Sequence, residues 1–363
     1  MSSLNKISNQ LKELIYNPAP AGFEDSMIRY MSEKIRLYGI ETQVDSLGNV
    51  VARLGGSCSR PRIMILAHMD EVGLIVRKIE KNGFLRFDKI GGVSESTLPG
   101  CRVLVIKEDG DSVNGVIGSK SHHLVPVSER GKPIPFDELY IDIGCSSYEK
   151  VLSLGVNVGS PVVYARDFFQ NELLVFGPAI DNRGGCLVLL QLVEKLLNER
   201  FNPEVFLVAS VQEEYNLRGV LPVARMLNPD LAVAIDVAVA CDTPDLSKTA
   251  IKVGYGPVIN AYSFHGRGTL GGVIPNPKLK KLMIDAATKA GIPIQLNVFY
   301  GGLTDASFLQ LENKGIPSIE VGFPARYTHT PLECADLRDI EKLIELLIVF
   351  IITLPSEIDL SRY

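Results

Sequence analysis

Apolar and polar positions along the chain follow two rhythms, and the switch between them divides the sequence. Residues 1–15, MSSLNKISNQLKELI, and 24–38, EDSMIRYMSEKIRLY, space their apolar residues as amphipathic helices do, the second after the breaker cluster NPAPAGF. VARLG and IMILA follow, and IMILA is the kind of short apolar run that a sheet buries on both faces. From Gly73 to Tyr164 the texture changes to β-like pieces (LIVRKI, FLRFDKI, RVLVIK, VNGVIG, ELYIDIG, SPVVYA) separated by Gly, Pro, Asn and Asp, with no helical pattern among them.

Beyond Tyr164 helical patterns return and alternate with strands. NRGGCLVLLQLVEKLLNER precedes EVFLVASVQ, and LRGVLPVARML precedes DLAVAIDV; PKLKKLMIDAATKAG precedes PIQLNVF, and TDASFLQLENKG precedes PSIEVGF. This alternation predicts an α/β fold with a mainly parallel central sheet covered by helices. Residues 1–72 and 165–363 then form the α/β domain, interrupted by an inserted small all-β domain at 73–164. The length, 363 residues, exceeds the usual single core and agrees with two domains. The C-terminal run LIELLIVFIITL (343–354) contains Glu345 and is shorter than the roughly 20 residues a bilayer span needs. It predicts a buried helix or strand.

Composition narrows the function classes. With 46% apolar and 22% charged residues the chain reads as a soluble protein with a substantial core. A net charge of −5 gives no reason to expect nucleic acid or an anionic membrane as partner. Six scattered cysteines without a CxxC pair read as reduced thiols, and the N-terminus lacks the plan of a signal peptide; both predict a cytoplasmic protein.

Ligands of open α/β sheets bind outside the carboxyl ends of the strands, and metal-capable residues collect there. IMILA ends in His68 and Asp70, LLVFGPAI in Asp181, EVFLVASVQ in Glu213 and Glu214, and DLAVAI in Asp236; His329 follows IEVGF in the loop PARYTHTP. Taken singly each has an ordinary structural reading: a surface histidine, a helix cap, a turn aspartate, a solvated strand end. Jointly, two of only 5 histidines meet several carboxylates on one sheet. That nitrogen and oxygen donor set suits Zn²⁺, Co²⁺ or Mn²⁺ and exceeds what one closed tetrahedral site requires. Two metals sharing a bridging carboxylate would use it, acidifying a water and polarising a carbonyl, with a further carboxylate shuttling the proton.

The ordered set AHMDEVG (67–73), AIDNRGG (179–185), QEEYNLRG (212–219), AIDVA (234–238), GGLTDAS (301–307) and RYTHTP (326–331) resembles the tetrahedral aminopeptidases. These are dinuclear, cobalt- or zinc-activated cytosolic metallopeptidases that include glutamyl and deblocking aminopeptidases, some of them named endoglucanases. The resemblance runs from about Pro18 to about Leu347. It implies His68 and His329 as imidazole ligands, Asp181 as the bridging carboxylate, Glu214 and Asp236 as the remaining ligands, Glu213 as general base, and Asp70 as the carboxylate orienting His68. It also implies a cis peptide after Asp181, short peptides as substrates, and dimers formed through the β insertion and assembled into a homo-oligomeric dodecamer. The chain departs from the family at Tyr215, Asn216 and Leu303, which are therefore candidate substrate contacts together with Arg326 and His265. His122 and His123, in GVIGSKSHHL, are read as structural.

Other readings remain at this stage. The same centre could serve a dipeptidase, a carboxypeptidase or an N-acyl deacylase; the last two usually need a cation for a substrate carboxylate, and Arg326 lies near His329 in sequence. A glycosidase using Glu213 and Glu214 would leave the other site residues without a role, and adjacent strand residues diverge too far to flank one glycosidic bond. A non-catalytic binding protein would not need every matched position filled.

Overall fold

The computed structural model describes residues 3–266 and 271–362. A twelve-stranded sheet forms its centre. The four middle strands, Glu204–Ser210, Arg62–His68, Leu231–Val239 and Ser318–Arg326, run parallel in that order. The flanks are antiparallel: Val50–Leu54 lies outside Glu204–Ser210, and Glu333–Asp336 and then Leu174–Gly177 lie beyond Ser318–Arg326. The sheet is therefore mixed rather than parallel to its edges. Parallel neighbours need long crossovers, whereas a strand that returns after a short loop, as Glu333–Asp336 does, can pair only antiparallel.

Alternating side chains of Arg62–His68 feed two cores. Ile63, Ile65 and Ala67 pack with the helices Ser3–Ile15, Asp25–Arg36, Ile180–Leu196, Pro277–Ala290 and Leu337–Thr353, while Met64 and Leu66 pack with Val220, Val223 and Ala224 of the helix Val220–Leu227. Burial on both faces explains the uninterrupted apolar runs of the middle strands. The C-terminal apolar run is the buried helix Leu337–Thr353, and among the described residues no helix is long and apolar enough to cross a membrane.

After His68 the chain enters a closed six-stranded barrel, ordered Gly73–Ile79, Leu85–Ile90, Tyr140–Asp142, Ser112–Gly118, Arg102–Ile106 and Pro161–Tyr164. It has its own apolar core around Leu85, Val103, Ile117 and Ile141. The expectation that this module lacks a helix is corrected: Tyr148–Ser153 is helical, capped by the Ser147 hydroxyl, which accepts from the Lys150 N–H at 3.3 Å. TDASFLQLENKG departs in the other sense, with only Ala306–Leu309 helical before 3₁₀-type turns end it.

Two buried residues sit where the chain crosses into and out of the barrel. Arg166 donates to both oxygens of Glu71 at 2.7 Å, and Arg183 donates to the same carboxylate at 2.9 Å. Burial alone would raise the Glu71 pKa, but the two guanidiniums outweigh it and hold the carboxyl below its ordinary range.

Candidate metal centre and cleft

Five chain segments bring the predicted residues together. His68 ends its strand; its Nε2 lies 3.3 Å from Asp181 Oδ1 and 3.8 Å from Asp236 Oδ1. His329 Nε2 lies 3.6 Å from Asp181 Oδ2 and 3.4 Å from Glu214 Oε1. Asp181 thus stands between the two imidazoles with one oxygen toward each. Donor atoms of His68, Asp181 and Glu214, and separately of His68, Glu213 and Asp236, lie within 4.8 Å of one another.

Asp181 does not end a strand as expected. The strand stops at Gly177, and Asp181 opens the helix Ile180–Leu196 with non-helical φ/ψ and no side-chain cap bond. The Asp181–Asn182 peptide is cis. Asn182 holds this turn: its Nδ2 donates to the Ile235 carbonyl at 2.8 Å, and its Oδ1 accepts from the Gly185 N–H at 2.9 Å. Gly184 follows because a Cβ there would lie 2.2 Å from the ring of Phe323, which is fully buried and cannot yield. Gly184→Ala is expected to destabilise the protein by about 1–3 kcal/mol, read as a lower urea midpoint.

The paired glutamates also sit differently from the sequence expectation. Their strand ends at Ser210, and Gln212, at φ 56°, turns the chain so that Glu213 and Glu214 lie in a loop. Their divergence comes from this turn, not from strand pleating. Asp70 fixes it: its Oδ1 accepts from the Glu213 N–H and its Oδ2 from the Glu214 N–H, each at 3.0 Å. The same residue faces His68, whose Nδ1 lies 3.2 Å from the Asp70 carbonyl and 3.6 Å from its carboxylate. An Nδ1–H held this way leaves Nε2 as the lone-pair donor. For His329 the matching partner comes from the barrel, the Gly92 carbonyl 2.7 Å from Nδ1.

Three buried carboxylates escaped the sequence reading. Glu333 accepts from the Asp181 and His329 N–H groups, each at 2.8 Å, and so ties two candidate ligands together. Glu24 accepts from the Gln212 N–H at 3.1 Å and supports the glutamate turn. Asp305, inside the quoted GGLTDAS, accepts from the Ser210 hydroxyl at 2.6 Å. Only Asp305 carried a signal, its motif.

The chemistry of the donor set fits divalent cations. Burial, reinforced by neighbouring carboxylates, pushes Glu213 well above the usual carboxylate range and Glu214 up to about 8. Asp181 faces both imidazoles, yet its Oδ1 is buried without any hydrogen-bond partner. An orphaned carboxylate oxygen among mutually repelling acids is what bound cations would satisfy.

Beside the cluster opens a cleft of about 490 Å³. Asn216, Leu303 and His265 line it, as do Asn260, Asn297 and Thr304. Two expected contacts are elsewhere. Tyr215 is half exposed under the Arg218 guanidinium, 5.6 Å from its ring centre, and Arg326 is committed to Asp242 through bonds of 2.7 and 2.6 Å. His122 and His123 form an exposed 3₁₀ turn in the barrel.

Imidazoles and carboxylates gathered on one side of an α/β sheet, beside an open cleft, make a candidate metal site of the kind that hydrolases of this class use. Residues 48–346 match the family described as M42 glutamyl aminopeptidase, and the chain belongs to that family and is a peptidase. It is 40% identical over 346 residues to SgcX of Escherichia coli (strain K12), which bears a provisional aminopeptidase name; the match covers 94% of this chain and 92% of SgcX. Among solved structures, an aminopeptidase from the archaeon Desulfurococcus kamchatkensis superposes with a TM-score of 0.91 at 37% identity, covering 98% of this chain and 97% of that one. The Pyrococcus horikoshii TET1 peptidase, described as assembling into a tetrahedron or a large octahedral shell, gives 0.85 at 32% identity, covering 96% of this chain and all of the other.

Proposed function

We propose that the protein is a dinuclear aminopeptidase acting on short peptides. His68, Asp236 and Asp181 would hold one divalent ion, and His329, Glu214 and Asp181 the other, with Zn²⁺ or Co²⁺ favoured by the donor set and Mn²⁺ also compatible. Bound there, the ions supply Lewis acidity toward water and the scissile carbonyl. Glu213 takes the proton of the attacking water and returns it to the leaving amine. Asp70 keeps Glu213 and Glu214 aimed in different directions by accepting both of their N–H groups.

The observation that carries this reading is Asp181 set between the imidazoles of His68 and His329, with Glu214 and Asp236 beside them, at the end of a cleft none of whose described lining residues is Lys or Arg. Among the described lining residues no Lys or Arg side chain stands ready to pair with a C-terminal or acyl-amino-acid carboxylate, which supports removal of residues from the free amino end. Arg326, the candidate for that second role, is already paired with Asp242. Chelated enzyme reloaded with Zn²⁺, Co²⁺ or Mn²⁺ is therefore expected to cleave aminoacyl p-nitroanilides and to spare their N-acetyl forms. Faster release of C-terminal residues or acetyl groups would redirect the assignment to a carboxypeptidase or deacylase.

Residues 73–164 are proposed as a separate dimerisation domain, and the assembly as a homo-oligomer like the TET1 peptidase. The barrel's exposed Leu124 and Val127, 77% and 79% accessible, support a covered surface there. Size-exclusion chromatography with light scattering is expected to give an oligomer, and paired Leu124→Ser and Val127→Ser changes to shift it toward smaller species.

A further inference from the structure

Behind the cleft, three adjoining strands set a polar row through an otherwise apolar sheet. Ser318–Arg326 pairs antiparallel with Val258–Phe264, with Ile259 opposite Val321, and Val258–Phe264 pairs parallel with Gln295–Tyr300, with Asn260 opposite Asn297. Glu320, Asn260 and Asn297 thereby fall side by side, at 1%, 8% and 4% accessibility. The Glu320 carboxylate accepts three bonds: from Thr304 Oγ1 at 2.6 Å, Ser263 Oγ at 3.0 Å and Asn260 Nδ2 at 3.2 Å.

The carboxylate sets the direction of the whole row. Because it accepts, Asn260 must turn its Nδ2 toward it and its Oδ1 away. Asn260 Oδ1 then accepts from Asn297 Nδ2 at 2.9 Å, which leaves Asn297 Oδ1 as the terminus. That oxygen is buried and has no donor partner. Gln295–Tyr300 pairs only with Val258–Phe264 among the described strands, so no further strand supplies one. A buried amide oxygen without a donor is costly, and a chain of bonds ending on a carboxylate makes it a stronger acceptor.

Asn260, Asn297 and Thr304 all line the cleft beside the candidate metal centre. Val237, Phe299 and Leu303 line it as well, offering apolar wall to a methylene stem. An acidic side chain would meet no Lys or Arg among the described lining residues, and an aliphatic one would leave Asn297 Oδ1 unpaired.

We infer that the Glu320–Asn260–Asn297 row selects substrates whose N-terminal side chain ends in a hydrogen-bond donor, a lysine-type ammonium foremost and a glutamine-type amide second. The inference rests on the aminopeptidase reading and adds the class of residue removed. Asn297 is a specificity-determining contact, and Glu320 acts through it.

Norleucine tests this most directly, since it is nearly lysine without the terminal nitrogen. Metal-loaded enzyme is expected to show a kcat/KM for lysyl p-nitroanilide about 10- to 100-fold above that for the norleucyl compound, the range of one hydrogen bond to a charged group. Glutaminyl substrate should fall between them and glutamyl substrate last. Asn297→Leu should bring the lysyl-to-norleucyl ratio close to one, and Glu320→Gln should lower it in part. Calorimetric binding of lysinol against norleucinol, which lack a scissile amide, to the unmutated protein gives the same ranking without turnover, and decides if a variant misfolds. Cleavage with norleucyl or glutamyl substrate preferred, or a ratio unmoved in folded Asn297→Leu, overturns this specificity and leaves the aminopeptidase standing. Failure to cleave any free-amino substrate overturns both.

Discussion

Glu213→Gln is expected to lower kcat by about 10²- to 10⁴-fold, the usual contribution of a positioned proton-transfer group, while metal content by elemental analysis stays at the wild-type level. The amide keeps the shape of the side chain and the N–H bond to Asp70, so the loop should remain in place. What it loses is the capacity to accept and return a proton. Glu214→Gln should behave differently, because Glu214 faces His329 across 3.4 Å and shares a donor group with His68 and Asp181. That variant should bind less metal, and its activity should recover in part when metal is added in excess. Glu213 also lies in a donor group, with His68 and Asp236, so it is the metal content of the two variants that separates the roles. Metal loss in Glu213→Gln with full retention in Glu214→Gln would exchange the two roles. A binding protein that merely keeps the fold would show no change in turnover, having none.

The line between what the sequence shows and what it hides follows from how each residue works. His68 and Asp236 are legible because a buried parallel strand reads as an unbroken apolar run, and a polar residue on or just beyond such a run needs a reason. Glu333 and Glu24 are not legible. They accept backbone N–H groups from segments far away in sequence, 152 and 188 residues for the bonds to Asp181 and Gln212, and such bonds leave no spacing pattern. Arg326 shows the converse error: three residues from His329 in the chain, it is turned away into a pair with Asp242. The polar row of Asn260, Asn297 and Glu320 is invisible for a third reason. It exists only across strands, so its members become neighbours through registers that no single strand specifies. The barrel helix Tyr148–Ser153 was missed because its six residues are too few for helical periodicity to emerge.

The largest expected loss of stability comes from Glu71→Ala. Glu71, Arg166 and Arg183 are all buried, and removing the one anion leaves two guanidiniums without their counter-charge. Breaking a buried pair from one side costs about 3–5 kcal/mol, because the remaining charge is still desolvated. Arg166→Met should cost less, since Glu71 keeps Arg183, and Arg183 also donates to the carbonyls of Leu14, Met69 and Asn17. The double variant Glu71→Ala with Arg166→Met should therefore be more stable than Glu71→Ala alone, the second change removing a stranded charge rather than a contact. Urea midpoints compared across the set test this, and a double variant no better than the single would show that the triad acts by packing rather than charge. The pH dependence has a defined sign. With its folded pKa held below the usual value of 4.5, Glu71 contributes stability that is fully present above that value and lost as pH falls through the folded one. The gap between wild type and Glu71→Ala should accordingly narrow toward acid. Metal retention should fall with stability in Glu71→Ala, because Arg183 also donates to the Met69 carbonyl next to His68 and stands two residues from Asp181. The triad thus clamps the two crossings of the barrel onto the turns that carry the candidate ligands, so disturbing the junction is expected to reach the site without touching it.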